Sequence, residues 1–202
     1  MVASGGFESN REWLREAWGQ NVVVENRPGA NGIVGLQALM QSPADGYTLA
    51  VAAAGPMAVN PSLYDKLPYD PLKDFAPITN MVNFPLLLVT HPSVPAKSTL
   101  ELINLAKSKP KQLFFASPGS GNSGHLAGEL FKLQTNTFIT HIPYRGAGPA
   151  LQDLIGGNVD MMFDVLGSSA AHIKGGRIKA LMVSGTKRNP AFPDVPCSTE
   201  LG

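Results

Sequence analysis

Between residues 112 and 184 short apolar runs alternate with segments of helical spacing, and this alternation restricts the fold more than any other feature. Gln112–Ser117, Phe138–Ile142, Val159–Asp164 and Ile178–Ser184 have the length and composition of strands. Between them, Leu126, Ala127, Leu130 and Phe131 recur at helical spacing within Ser123–Gln134. A second helix is predicted from Gly148-Pro149, with proline at its first position and Gly156-Gly157 ending it. A short third one spans Ser168–Lys174. Four strands joined by three helices predict right-handed crossovers and one parallel sheet covered on both faces.

The earlier part of the chain repeats this grammar less completely. Val22–Val24 and Tyr47–Ala53 are strand candidates flanking a helix over Ile33–Gln41. A proline-rich stretch with Pro61, Pro68, Pro71 and Pro77 predicts long surface loops. Phe84–Thr90 is a further strand, and Ser98-Thr-Leu-Glu101 is a capping box opening a helix that runs to about Lys107. No internal repeat is evident, and the two β-α-β regions read as cores of separate lobes.

Composition removes several function classes. The 16 basic and 15 acidic residues are dispersed, with a net charge of +1, so no basic face exists for nucleic acid. The single cysteine, Cys197, permits neither an intrachain disulfide nor a thiolate metal cluster. The N-terminal residues have neither a basic nor an apolar segment of signal-peptide type. The longest apolar run, Leu49–Ala54, falls far short of the about 20 residues a spanning helix needs, so no membrane insertion is expected.

In an open parallel sheet, ligands collect where strand ends lead into helix N-termini. Those ends carry Ser117 with Gly119, Ser120, Gly121, Asn122 and Ser123; Tyr144 with Gly146, Ala147 and Gly148; and Asp164. Ala54, Gly55, Pro56 and Met57 follow the earlier strand. Backbone N–H groups and small hydroxyls of this kind suit a carboxylate, although serine, asparagine and glycine are also ordinary caps. Asp164 reads as a cap for the next turn or as a receiver of a ligand amine, and Tyr144 as a wall aromatic.

Gly119, Gly121 and Gly124 also satisfy G-x-G-x-x-G, which raises a nucleotide-binding oxidoreductase as the alternative. That reading needs an acid at the end of the next strand, where Pro143-Tyr-Arg145 stands instead. Catalytic constellations are lacking. His91, His125, His141 and His172 show no metal-ligand spacing and no adjacent carboxylate partner, and there is no G-x-S-x-G elbow. No catalytic residue, metal or cofactor is therefore expected.

Val22-Val-Val-Glu-Asn-Arg-Pro-Gly-Ala-Asn-Gly32 resembles the signature of the Bug-type receptors, the extracytoplasmic solute-binding proteins of tripartite tricarboxylate transporters. Further resemblances follow in order at 43–48, 60–64, 69–75, 125–131, 143–154, 162–164 and 193–196, so that the likeness covers about Gly19 to Gly202. It implies an α/β fold of the type II periplasmic binding protein kind, with two α/β lobes joined by two crossing hinge strands. These strands would be about Phe84–Thr90 and Ile178–Ser184. Residues 1–88 and 183–202 would form the first lobe and 89–182 the second. The resemblance further implies a periplasmic location, a cognate membrane permease as partner, and a small carboxylate ligand such as an amino acid, dicarboxylate or aromatic acid. Ser117–Ser123, Gly146–Pro149, Asp164 and Ala54–Met57 would hold it.

Two departures from the family pattern concern the first lobe. Ser4–Arg11 keeps Gly5 and Gly6, candidate ligand contacts, but the strand before it is almost absent and the helix over Glu12–Trp18 is shortened. The chain also stops at Gly202, where the family returns to complete that lobe. The first lobe is accordingly expected to be incomplete, with exposed sheet edges and marginal stability, and a product that folds without binding ligand is the third reading. Isothermal titration against a panel of carboxylates should then show weakened affinity; full-strength binding refutes that expectation.

Overall fold

Leu86-Leu-Leu-Val-Thr90 has no polar face to offer water, and only a sheet covered on both sides can accommodate it. In the computed structural model, which describes residues 2–3, 19 and 22–202, this run occupies an interior sheet position. The chain forms two compact units, Met1–Thr79 with Gly119–Ser123, and Asn80–Pro118 with Gly124–Gly202.

The second unit is built on five strands: β4 (Leu86–Thr90), β5 (Phe114–Ser117), β6 (Thr140–Pro143), β7 (Met161–Val165) and β8 (Lys179–Val183). Their spatial order is β6-β5-β7-β4-β8. β5 pairs in parallel with β6 and β7, whereas β4 is antiparallel to both β7 and β8. The four strands expected within 112–184 therefore do run parallel, β8 included, and what the sequence left out is the antiparallel β4 set between β7 and β8. β4 lies between β7 and β8 because its apolar residues require neighbours on both edges as well as layers on both faces. Alternation along the strands then sorts two cores. Leu88, Phe115, Met161 and Phe163 pack with Leu102, Ala106, Phe131 and Ile139 on one face. Leu87, Val89, Ala116 and Met162 pack with Ala150, Leu151 and Leu154 on the other.

The helices of this unit are α3 (Thr99–Ser108), α4 (Ser123–Thr135), α5 (Ala147–Ile155), α6 (Leu166–Lys174) and α7 (Ser198–Leu201). Ser98 caps α3 through its Oγ, which accepts from Glu101 N at 3.2 Å. The returning arm of the expected capping box shifts by one residue, since Glu101 Oε2 accepts from Lys97 N at 2.7 Å. α5 begins at Ala147, so Pro149 is its third residue and not its first. The third N–H of a helix also lacks an intrahelical acceptor, and proline fits there equally well. Gly156 ends α5 and Gly157 follows at φ 74°.

The first unit contains β1 (Val2–Ala3), β2 (Glu25–Asn26), β3 (Ala50–Val51), α1 (Ile33–Met40) and α2 (Asn60–Leu63). Its parallel sheet has the order β2-β1-β3, pairing Val2 with Glu25 and Ala50, and Ala3 with Asn26 and Val51. A first strand thus exists, short as it is, and lies at the centre. The strand expected at 22–24 lies instead at Glu25–Asn26, and the one expected over 47–53 is cut back to Ala50–Val51. Pro56 and Pro61 lie in the opening turns of the π-turn Gly55–Val59 and of α2, not in an extended loop. Gly5, Gly6, Trp13, Trp18 and the helix expected over Glu12–Trp18 lie outside the described residues. Among the described residues, no helix is long and apolar enough to cross a membrane.

Gly128 shows how tightly α4 is seated. A Cβ there would approach the Phe115 ring to 2.3 Å, and Phe115 is wholly buried. Gly128→Ala gains up to about 1 kcal/mol of helix propensity but overpacks a core with no room to yield, at about 1–3 kcal/mol. Urea unfolding should show a net loss of about 1–2 kcal/mol with an unchanged m value.

Candidate functional site

In the second unit the candidate residues are tied together by backbone. Ser117 O accepts from Tyr144 N at 2.9 Å, and Pro118 O accepts from Gly146 N at 3.0 Å. The end of β5 is thereby fixed to the turn between β6 and α5. That turn delivers α5 with Gly146 as its N-cap, at φ 115° and without a side-chain cap. A Cβ built on Gly146 or Gly148 would meet no atom within 4 Å, so the approach to the first turn of α5 is open within this unit. Backbone N–H groups at such a terminus favour an anion.

Asp164 lies at the end of β7, buried. Its Oδ2 accepts from Ser168 Oγ at 2.6 Å and from Ser169 Oγ at 2.5 Å. The carboxylate therefore braces the opening of α6, as a strand-end cap does. Tyr144 donates its hydroxyl to Asp153 Oδ2 at 2.6 Å. Burial first, and then this bond, push the phenol up to about 12, while the same bond holds the Asp153 carboxyl below its ordinary value. Tyr144 is held as a neutral wall group.

Ser117, at the end of β5, is wholly buried, with its Oγ 2.6 Å from Nε2 of His141 on β6. The His141 ring stacks on Phe115 at 4.7 Å and on His125 at 4.1 Å. One turn further along α4, Glu129 lies 3.9 Å from His125 Nε2 and accepts from Lys132 Nζ at 2.8 Å. No carboxylate adjoins a histidine in the sequence, but the helix brings Glu129, at i+4, beside His125. Burial, reinforced by the neighbouring His125, depresses the His141 imidazole from 6.5 to about 4. Burial lowers His125 as well. At neutral pH the stack is uncharged. Among the described residues, no three His, Cys, Asp or Glu side chains converge as a metal site.

In the first unit, Gly119–Ser123 forms a turn closed by Asn122 N donating to Gly119 O at 3.4 Å. Ser120 and Ser123 are exposed and Gly121 is buried at φ 82°. A Cβ on Gly121 would stand 2.4 Å from Leu63 Cδ2 and 3.1 Å from Asn31 Nδ2. Gly55 meets the same asparagine, at 2.9 Å, and the Gly121 carbonyl at 3.3 Å. Both glycines are thus required by protein packing, which for Gly121, the middle glycine of G-x-G-x-x-G, gives a reason other than a pyrophosphate. Ala54 is exposed, Met57 is half-buried, and Gly55 and Pro56 are buried.

Sequence reasoning passed over the groups that shape this turn. Asn31 Nδ2 donates to Asn60 Oδ1 at 2.8 Å; Asn60 Nδ2 lies 3.3 Å from both Asn31 O and Tyr69 OH; and Tyr69 OH donates to Pro56 O at 2.6 Å. Asn60 is wholly buried. Asn31 belongs to four consecutive residues of positive φ: Gly29 at 131°, Ala30 at 43°, Asn31 at 48° and Gly32 at 84°. For the two that are not glycine this region costs about 1–2 kcal/mol each. The available signal was an asparagine flanked by glycines in Pro28-Gly-Ala-Asn-Gly32, since asparagine tolerates the left-handed region.

Residues 8–202 match the family described as tripartite tricarboxylate transporter family receptor. The chain belongs to that family. It is 40% identical over 190 residues to protein BugT of Bordetella pertussis, an alignment covering 94% of this chain and 58% of BugT. It spans little more than half the length of the curated relatives it matches. Among solved structures, R. palustris Rpa4515 with adipate superimposes at a TM-score of 0.94 with 33% identity, covering all of this chain and 70% of that one. MatC from Rhodopseudomonas palustris with bound malate gives 0.88 with 28% identity, covering all of this chain and 71% of that one. The fold is accordingly the mixed α/β fold of periplasmic binding proteins, and the receptor family to which the chain belongs is one of solute binding and not of catalysis.

The histidine stack of this receptor makes its stability depend on pH. His141 stays neutral in the folded protein down to about 4, whereas the unfolded chain takes up the proton near 6.5. The stabilisation is complete above 6.5, is lost as pH falls from 6.5 towards 4, and levels off below that. Urea titrations at several pH values should show a shallower decline over this window in His141→Asn than in the wild type.

Proposed function

We propose that this chain captures a small carboxylate as the solute-binding component of a tripartite tricarboxylate-type transport system, with dicarboxylates the leading class. The observation that carries the reading is the open first turn of α5, uncapped by any side chain, in a receptor family whose relatives have been solved with adipate and with malate. A carboxylate placed there gains up to about 2 kcal/mol from the helix terminus. Each charge-assisted hydrogen bond adds about 1.5–3 kcal/mol. The proposed contacts are Ala147 and Gly148 with Gly146 and Tyr144 in the second unit. In the first unit they are Ala54 and Met57 together with Gly119, Ser120, Asn122 and Ser123. Ser117, Asp164, Gly55, Pro56 and Gly121 shape the backbone that carries them. The setting proposed is the periplasm, where loaded receptor is recognised by a membrane permease without itself inserting into the bilayer.

The test is a thermal-shift and calorimetric panel of adipate, malate, glutamate and benzoate, with NAD and NADP included. At a hundredfold excess over Kd, a bound acid stabilises the fold by about 2.7 kcal/mol. At least one acid should give such a shift and neither nucleotide should; a nucleotide shift without any acid shift overturns the reading. Gly148→Asp provides the matching variant. Its side chain has room, and it sets a negative charge at the terminus where the ligand carboxylate is placed. Affinity should fall about tenfold or more, equivalent to at least about 1.4 kcal/mol.

A further inference from the structure

The strained turn at Gly29–Gly32 and the buried amide network of the first unit have a common centre, the Asn31 side chain. Its Nδ2 is anchored on Asn60 Oδ1 at 2.8 Å, and Asn60 is in turn fixed by Asn31 O and Tyr69 OH. Tyr69 closes the circuit on Pro56 O, within the segment that carries Ala54–Met57. The anchored carboxamide lies against two glycines: a Cβ on Gly55 would stand 2.9 Å from its Nδ2, and one on Gly121 would stand 3.1 Å from it and 2.4 Å from Leu63 Cδ2. Gly121 is the middle residue of the 119–123 turn, and its carbonyl also packs on Gly55. Two segments proposed to contact ligand therefore meet, in the first unit, at one side chain, which reaches its place through a left-handed backbone at φ 48°.

We propose that Asn31 is a positioning residue for solute capture: it holds the 119–123 turn and the 54–57 segment of the first unit in the backbone conformation that receives ligand. This rests on the receptor reading given above. The strain at Ala30 and Asn31 is tolerated because it aims this amide. A stabilising role alone and a positioning role differ in where loss of the amide is felt, along the whole fold or at the 119–123 turn.

That difference supplies the experiment. Asn31→Gly relieves the backbone but leaves buried Asn60 Oδ1 without its donor, and these opposed effects of similar size should keep thermal stability within several degrees of wild type. Amide hydrogen exchange of 119–123, followed by mass spectrometry on ligand-free protein, should accelerate about tenfold. Affinity for whichever of adipate or malate the wild type binds should weaken by about tenfold. Asn31→Asp should weaken affinity similarly, because an oxygen would replace the donor facing Asn60 Oδ1. The proposal is overturned if Asn31→Gly leaves exchange at 119–123 unchanged, or accelerates it while affinity stays at the wild-type value. A large fall in melting temperature with exchange rising evenly along the chain also overturns it, since that is the signature of a purely structural residue. If the wild type binds neither acid, the receptor reading for these ligands fails, and the exchange measurement still decides whether Asn31 holds the turn.

Discussion

Burial of Leu86–Thr90 on both faces is the constraint from which the second unit is built. Leu87, Leu88 and Val89 are each at most 1% exposed, so two layers of helix must cover the sheet and two strands must flank this one. Fully burying a leucine or valine side chain is worth about 1.5–3 kcal/mol, several times the differences between alternative strand orders in hydrogen bonding. The antiparallel insertion follows from that imbalance. It leaves β5, β6 and β7 as a parallel trio whose ends point the same way, and those ends carry Ser117, Pro143 and Asp164.

The polar groups at these ends behave differently from what their types suggest in isolation. A buried carboxylate normally invites thoughts of general base or cation binding, yet Asp164 spends its oxygen on two serines of the helix that follows. Tyr144 has its proton committed to Asp153. Ser117 and His141 form a short hydrogen bond within an aromatic stack that excludes charge. Each arrangement fixes backbone or ring orientation, whereas α5 presents backbone donors with open space around them. The division suits recognition: side chains hold the frame, and main-chain dipoles face outward.

Much of this frame was legible in the sequence because it is local. Ser98 and Glu101 announce α3 from three residues apart, and Gly156-Gly157 closes α5 where expected. The strand ends followed from the alternation of apolar runs. What escaped was non-local. The place of β4 depends on Leu88 meeting Phe163 and Met182, far along the chain, and no periodicity encodes that. The same holds for the partners of the polar residues, since His141 meets Ser117 across 24 positions and Asn31 meets Asn60 across 29. In the first unit the strand of this region falls at Glu25–Asn26, just past the Val22–Val24 run whose composition marked it.

The 119–123 turn belongs by its contacts to the first unit, although the residues on either side of it belong to the second. During synthesis the first unit's own sequence through Thr79 emerges well before Gly121, so Asn31 and Leu63 must wait for a glycine made later. The earlier unit can finish packing only while the later one is under construction. A nascent chain is therefore without its completed first unit for a stretch of translation, until the 119–123 turn has been made.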